Sequence, residues 1–193
     1  EFHVVGDVIY EDWGVARTRA SGTDGVLAIT QTGFDLPLTR ESLGPNEDVA
    51  WRLGKEVASK YPDLGQRAER IFALVRDRGV YTSDLEQFDR DEFAQNADEI
   101  AATILKNQGA SGDCEDSANL LAVMYKAAGY RSALVLMPGH VATLVHLPDY
   151  AKAPRKLTLA GEPGWVWAEA TGATNPFGWV PESLLADSLM ARE

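Results

Sequence analysis

The sequence has a single cysteine, three histidines and no long apolar run among its 193 residues. One cysteine excludes an internal disulfide, and it also excludes a cysteine-based zinc site, which needs several thiolates at set spacings. A membrane-spanning helix needs about 18 or more consecutive apolar residues, so we expect no membrane span in this chain. Cys114 is therefore either a small buried residue or a nucleophile.

Basic residues are also scarce, with 18 Lys and Arg against 29 Asp and Glu and a net charge of -11. This balance argues against nucleic acid or an anionic membrane as the main partner, because each phosphate contact needs a cationic side chain. The hydrophobic fraction of 45% is ordinary for a globular protein of this length. We expect one compact domain with a substantial core.

The N-terminal part, from Phe2 to about Leu38, alternates runs such as FHVVGDVIY and GVLAIT with Gly, Asp and Thr clusters, a pattern typical of strands or hairpins. From Pro45 the apolar spacing becomes helical. We therefore expect residues 1–45 to form a β-rich extension of the same domain and residues 46–193 to form its core.

Three helices are predicted before the cysteine, each with apolar residues on one face. The first carries Val49, Leu53 and Val57 after possible caps at Asn46 and Asp48. The second begins at Asp63 with Gln66 as a capping-box partner, carries Ala68, Ile71, Phe72 and Val75, and stops at Gly79. The third begins at Asn96 with Glu99, carries Ile100, Thr103 and Ile104, and stops at Gly109.

A fourth helix follows, with Asp113 as its cap, Asp116 completing a capping box, Cys114 at its first position and Gly129 at its end. The β-rich runs SALVLMP, HVATLVHL, KLTLAG and GWVWAEAT come next. Helices followed by about four strands predict an α+β fold rather than alternating βαβ units.

The predicted place of Cys114 has two opposing effects on its thiol. The unpaired N–H groups at a helix start favour the thiolate, whereas the acids Asp113, Glu115 and Asp116 disfavour a second anion. A nucleophilic cysteine here needs a cationic partner, and histidine is the usual one.

His140 is the candidate base because it begins a predicted strand directly after Gly139, where it is accessible. His146 shares the face of that strand by parity but ends an apolar run, and His3 lies near a terminus. A lone histidine in such a strand is more often structural than catalytic, so both interpretations of His140 stay open at this point.

Glu169 is the candidate third residue because it stands alone among apolar and small residues in GWVWAEATG. A buried carboxylate needs a partner, and orienting an imidazole would supply one. The alternative is that Glu169 simply faces solvent.

The segment GDCEDSANLLAVMYKAAGYRSALVLMPGH, followed by WVWAEATG, resembles the transglutaminase-like superfamily, a branch of the papain-like thiol enzymes. The resemblance covers about residues 95–182. It implies a papain-like α+β core with helices packed on an antiparallel sheet. It also implies that Cys114 is the nucleophile, His140 the base and Glu169 the acid, although Glu stands where the family usually has Asp.

The activity implied by the resemblance is acyl transfer through a thioester on Cys114. We expect a cysteine protease or amidase acting on a protein or peptide, with cross-linking or transamidation as one alternative and a non-catalytic binding module as another. The resemblance requires no cofactor, favours an extracytoplasmic location and is compatible with a monomer.

The backbone N–H of Cys114 and one further donor would hold the oxyanion. Gln108 is a candidate donor, because QGASGDC resembles the papain pattern in which a glutamine precedes the cysteine by six residues. Gln108 could equally do no more than close the third helix.

The acids beside the cysteine have three interpretations. They can cap the helix and complement its dipole. GDCED also resembles bacterial periplasmic transglutaminase-like peptidases that bind Ca²⁺ next to the cysteine, which implies Asp113 and Glu115 as calcium ligands. The third possibility is an acidic subsite for cationic substrates.

The tryptophans Trp165, Trp167 and Trp179 could line an acceptor cleft or pack in the core. Residues of this kind in strands are more often part of the core.

Overall fold

The computed structural model describes the backbone of residues 2–5, 8–11, 28–30, 33–35, 49–89, 93–137, 140–181 and 190–192. Side chains are described for residues 49–89, 93–135 and 140–181. The caps predicted at Asn46 and Asp48 lie outside these residues, and the domain boundary at residue 46 stays a prediction.

The described helices are α1 (Val49–Lys60), α2 (Leu64–Arg78), α3 (Asp84–Phe88), α4 (Ala97–Asn107) and α5 (Cys114–Ala127). The four predicted helices are confirmed, whereas the short α3 was not predicted. None of the described helices is long and apolar enough to cross a membrane.

The predicted helix starts are confirmed by their hydrogen bonds. The Asp63 side chain accepts a hydrogen bond from the backbone N–H of Gln66 at 2.7 Å, which satisfies one of the free donors of α2. At α4, Asn96 and Glu99 form a capping box. Local sequence chemistry therefore determines where these two helices begin.

The strands of the N-terminal segment pair as two antiparallel hairpins, which confirms the strands predicted there. They are β1 (Phe2–Val5) with β2 (Val8–Glu11), and β3 (Ala28–Thr30) with β4 (Gly33–Asp35). A parallel pair that was not predicted joins β5 (Gly79–Tyr81) to β6 (Ala110–Gly112).

A five-stranded antiparallel sheet forms the second half of the fold. Its strands are β7 (Ser132–Met137), β8 (His140–His146), β9 (Leu157–Leu159), β10 (Glu162–Ala168) and β11 (Met190–Arg192), in the spatial order β11-β7-β8-β10-β9. Because β8 and β10 run antiparallel, with Ala168 opposite Thr143, β8 begins beside the end of β10.

Helix α5 packs against β7 and β8 of this sheet, and α1, α2 and α4 pack against α5, which confirms the predicted α+β architecture. Helix α5 lies against β8, and the Thr143 hydroxyl donates to the Ala118 carbonyl at 2.8 Å across that contact. The main core cluster includes side chains from α2, α5, β8 and β10, among them Ile71, Phe72, Leu120, Leu121, Met124, Val145 and Val166. The position of α5 on the sheet is thus fixed by apolar burial.

Helix α1 crosses the back of α5 at very short range. A Cβ atom on Gly54 would lie 2.4 Å from the backbone oxygen of Met124, which is closer than any side-chain atom could sit. Glycine at residue 54 therefore allows the two backbones to touch. The helix that begins with Cys114 is supported by the sheet on one side and by α1 on another.

Candidate active site

Cys114 is the first residue of α5, as the sequence predicted. The Asp116 carboxylate accepts a hydrogen bond from the backbone N–H of Asp113 at 3.4 Å, and the N–H of Ser117 donates to the Asp113 carbonyl at 3.2 Å. The helix start is therefore formed by Asp113 and Asp116, and the thiol lies at its electropositive first turn.

Gln95, in the segment before α4, binds the Asp116 carboxylate through two hydrogen bonds. Its backbone N–H donates to one oxygen of Asp116 at 2.6 Å and its side-chain amide donates to the other at 2.5 Å. Burial nevertheless raises the pKa of Asp116 to about 6, with these hydrogen bonds opposing the shift. Asp116 has a structural role at the start of α5.

The thiol of Cys114 donates a hydrogen bond to the neighbouring Glu115 carboxylate at 3.2 Å. Burial raises the pKa of the thiol far above its usual range, and the negative charges of Glu115 and Asp113 raise it further. A hydrogen bond from the backbone of Val141 opposes the rise. In this arrangement Cys114 is a protonated thiol, because burial and the acids outweigh the helix start.

His140 and Glu169 form a pair at the adjoining ends of β8 and β10. Glu169 is 5% exposed, so the interpretation that it faces solvent is wrong. The His140 Nε2–H donates to one oxygen of Glu169, since an ionised carboxylate can only accept. The Nδ1 atom of the ring remains for another partner.

Thr171 holds the second oxygen of Glu169. Its backbone N–H donates to Glu169 Oε1 at 3.1 Å, and its hydroxyl donates to the same oxygen. The carboxylate is thereby fixed from one side by Thr171 and bound to the imidazole on the other. Sequence reasoning missed this role of Thr171, although the residue stands within the EAT segment that carries the resemblance.

The beginning of α5, the beginning of β8 and the end of β10 meet in one region of the fold. Cys114 packs against Val141, the residue that follows His140. Within the described part of the chain, however, the sulfur is hydrogen-bonded to Glu115 and not to His140. The structure brings the imidazole and the acid together, and the thiol lies against the cluster that contains Val141.

His146 is at the opposite end of β8, about 20 Å along the strand from His140. Its Nε2 atom is 3.2 Å from the Pro163 carbonyl and 3.5 Å from Glu162. These contacts tie His146 to the far end of β10. Strand parity places both histidines on the same face and does not show which of them lies near Cys114. Their positions do, because His140 is at the end of β8 beside the start of α5 and His146 is at the other end.

Four carboxylates lie close together around Cys114. Asp84, the first residue of α3, is 2% exposed and joins Asp113, Glu115 and Asp116. Oxygens of Asp84, Asp113 and Asp116 lie within 4.8 Å of one another, as do ligand atoms of Asp113, Cys114 and Glu115. We call these four residues the acid cluster.

Hydrogen bonds satisfy only some of the carboxylate oxygens of the acid cluster. The backbone N–H of Phe93 donates to Asp84 Oδ2 at 2.5 Å, but in the described residues Asp84 Oδ1 and Glu115 Oε1 are buried without a hydrogen-bond partner. Burial first, and then the charges of Asp113 and Asp116, raise the pKa of Asp84 to about 7. Buried oxygens of this kind suit a hard cation such as Ca²⁺.

Asp84 was missed by sequence reasoning. The segment SDLEQF carries a Ser83 and Glu86 pattern that predicts a helix start, and the Ser83 side chain does accept a hydrogen bond from Glu86. That pattern gives no sign that Asp84 turns inward, because its burial depends on contacts with residues about 30 positions away.

Gln108 ends α4 with a left-handed backbone (φ 61°) and an exposed side chain. Its carbonyl accepts a hydrogen bond from the Arg78 guanidinium at 2.9 Å. The extended strand β6 separates Gln108 from Cys114. The structure thus shows a helix-closing role for Gln108, and its role as an oxyanion donor stays a prediction.

A cavity lies beside this region, between α2, α4, β5, β6 and the segment after β10. Its lining includes the apolar residues Val75, Ile100, Ile104 and Ala110 and the polar residues Tyr81, Ser117 and Thr171. Thr171 connects the cavity directly to Glu169. The residues that line the cavity include Thr171 but none of Cys114, His140 and Glu169.

The tryptophans of β10 belong to the core. Trp165 and Trp167 are fully buried in a cluster with Ala133, Val135, Ala142 and Leu144. They do not line the cavity, so the acceptor-cleft interpretation is wrong for these two residues. Trp179 is partly exposed.

The family model of the transglutaminase-like superfamily matches residues 52–182, well over half of the chain. No significant match was found among curated proteins or among solved structures.

Proposed function

The chain belongs to the transglutaminase-like superfamily, and from this premise we propose that it is a cysteine hydrolase, a protease or amidase, acting through a thioester on Cys114. The observation that carries the proposal is the hydrogen bond between His140 and the buried Glu169 carboxylate at the strand ends beside the start of α5. A carboxylate that binds an imidazole can orient the ring as a general base, and a nearby thiol is the group from which that base would take a proton.

In the proposed mechanism, His140 Nδ1 accepts the proton of Cys114, and the sulfur attacks a carboxamide or peptide carbonyl. The imidazolium then gives the proton to the leaving amine as the C–N bond breaks. Glu169 orients the ring through Nε2 and stabilises its positive charge. Water attacks the thioester, with His140 as base, and releases the acid and the free thiol.

The first step requires the thiol to turn from Glu115 to His140. Catalytic hydrogen bonds are often long or absent before substrate binds, and a rotation about the Cα–Cβ bond of Cys114 is a small movement. Burial of the thiol and then the charges of Glu115 and Asp113 disfavour the thiolate, and both raise the cost of this step.

Water is the acceptor that the surroundings favour over a second amine. The rim of the cavity is open, with the Tyr81 side chain 63% exposed and Val80 also exposed. Efficient transfer to an amine requires that the thioester be shielded from water. Transamidation is therefore the second candidate, and added amine tests it.

The proposal predicts a burst of p-nitrophenolate when the protein meets p-nitrophenyl acetate, followed by slower turnover. The burst amplitude should equal the Cys114 content, and mass spectrometry should find the acetyl group on Cys114, which is the only cysteine. A primary amine that speeds release of the acyl group would indicate a transamidase. A native protein that gives no burst, while the unfolded chain is acetylated, would favour the non-catalytic module.

A calcium ion is proposed at the acid cluster, with Asp84, Asp113 and Glu115 as the residues that would hold it. Bound there, a divalent cation would supply positive charge that offsets the carboxylates next to the thiol. The buried oxygens of Asp84 and Glu115 without hydrogen-bond partners in the described residues fit such a ligand set. Asp116, which is fastened by Gln95, completes the cluster.

Calcium at 100 times its dissociation constant is expected to raise the thermal midpoint of unfolding by about 5 to 10 °C, since it binds only the folded state. Asp84→Asn should reduce this shift, and Glu86→Gln, which changes an exposed acid on the same helix, should leave it intact. Scanning calorimetry with EDTA and with added Ca²⁺ measures both. If neither EDTA nor added Ca²⁺ changes the midpoint, the calcium proposal is refuted.

A further inference from the structure

The strand pair β5 and β6 directs the side chain of Tyr81 toward the start of α5. Tyr81 pairs with Gly112 in the parallel register, and the backbone N–H of the next residue, Thr82, donates to the Gly112 carbonyl at 3.0 Å. Paired residues of neighbouring strands point to the same face of a sheet. The direction in which a Cβ atom on Gly112 would point is therefore also the direction of the Tyr81 side chain.

The missing side chain of Gly112 would point at the first turn of α5. A Cβ atom built there would lie 2.6 Å from Asp116 Oδ2 and 2.8 Å from Asp116 Cβ. Tyr81 stands on the same face with a full side chain, and it lines the cavity together with Gly112, Ser117 and Thr171. Its ring consequently lies between solvent and the region where α5 begins.

Tyr81 is a large aromatic residue without a role in the core. Its side chain is 63% exposed, and in the described part of the chain its hydroxyl has no hydrogen-bond partner. An exposed phenol on the rim of a cavity is free to bind a ligand oxygen.

The electrostatic surroundings keep this phenol protonated. Partial burial raises the pKa of Tyr81, and the negative charges of Asp113 and Glu115 raise it further. The strand register places Tyr81 beside Gly112, two residues before Cys114. Tyr81 is thus a neutral hydrogen-bond donor close to the proposed nucleophile.

We propose that the Tyr81 hydroxyl is the second donor to the oxyanion that forms when Cys114 attacks a carbonyl carbon, beside the backbone N–H of Cys114. The inference rests on the proposed function. As the S–C bond forms, the π pair of the carbonyl moves to its oxygen, and Tyr81 donates a hydrogen bond to that oxygen while keeping its proton. The oxygen regains the double bond when the leaving group departs.

The backbone geometry favours Tyr81 over Gln108 for this role. Gln108 lies beyond the whole extended strand β6, with its side chain exposed at the end of α4. Tyr81 lies beside Gly112, two residues before the cysteine. The strand register pairs Tyr81 with Gly112, two residues before Cys114, whereas the whole of β6 lies between Gln108 and the cysteine.

The test compares Tyr81→Phe, Tyr81→Trp and a control, Leu85→Ala, which shortens an exposed side chain on the neighbouring α3. Two rates are measured on each protein: the burst with p-nitrophenyl acetate and the alkylation of Cys114 by iodoacetamide. Alkylation is attack on a saturated carbon and forms no oxyanion. Loss of a donor therefore slows acylation alone.

Tyr81→Phe is expected to lower the burst rate roughly 100-fold, the usual effect of removing one oxyanion donor, and to leave the alkylation rate unchanged. Tyr81→Trp should recover part of the loss, because the indole N–H can also donate. Leu85→Ala should match the wild type in both rates.

Three results would overturn the inference. Equal slowing of burst and alkylation in Tyr81→Phe would mean that the ring only supports the site. An unchanged burst would assign the donor to another group, with Gln108 next to be replaced. A wild-type protein that is alkylated but gives no burst would remove the proposed function and the oxyanion with it, which is distinct from a defect confined to the variant.

Discussion

Replacing Cys114 by alanine is expected to reduce hydrolysis of p-nitrophenyl acetate on the order of 10⁴-fold or more, to the level of the background reaction. In thiol and serine enzymes the nucleophile accounts for the covalent intermediate, so its removal costs nearly as much as removal of the whole triad. No other cysteine can take over, because the chain has only one. Release of p-nitrophenolate over time measures the effect.

The control for this variant is its folding. Cys114 is half-buried and packs against a small cluster of Ala118, Ala122, Leu134 and Val141, so alanine should leave the fold intact. An unchanged circular dichroism spectrum with lost activity assigns the effect to chemistry. Full activity in Cys114→Ala would place the reaction elsewhere and refute the proposed function.

The second large effect is expected at Glu169. Glu169→Gln keeps the length of the side chain but replaces the carboxylate that binds His140 and Thr171 with an amide. Loss of the charge that orients the imidazole and stabilises its protonated form should lower kcat about 10⁴-fold. Steady-state and burst kinetics with p-nitrophenyl acetate measure the change.

Glu162→Gln is the matched control, because Glu162 is an exposed carboxylate at the start of the same strand. It should retain wild-type rates. Glu169→Asp should give an intermediate loss, since the carboxylate would then stop one methylene short of the imidazole. If Glu169→Gln and Glu162→Gln were equally active, the His140–Glu169 pair would be structural.

Local chemistry explains the parts of the fold that the sequence predicted. The caps at Asp63 and Asn96 and the apolar faces of α2 and α4 act within a few residues, so their signals are complete in short segments. The parallel pair β5 and β6 was missed because each strand has three residues, too few for a period. Its pairing joins segments about 30 positions apart.

The candidate site divides in the same way. The start of α5 at Cys114 followed from Asp113 and Asp116, which act locally. The burial of Glu169 could not be decided from a strand of mixed residues, since it depends on which face the helices cover. The burial of Asp84 beside Asp113 and Asp116 joins residues about 30 positions apart, and no short segment predicts it.

The contact between Gly54 and the backbone of Met124 has a mechanical meaning for the site. Side chains between two helices can change rotamer when one helix moves. At Gly54 the backbones of α1 and α5 are in contact, so no side chain lies between them to adjust in this way. Helix α5 therefore gives the proposed nucleophile Cys114 a rigid support. Adjustment to a bound substrate must then come from other parts of the site, such as β5, where the side chains of Val80 and Tyr81 are exposed.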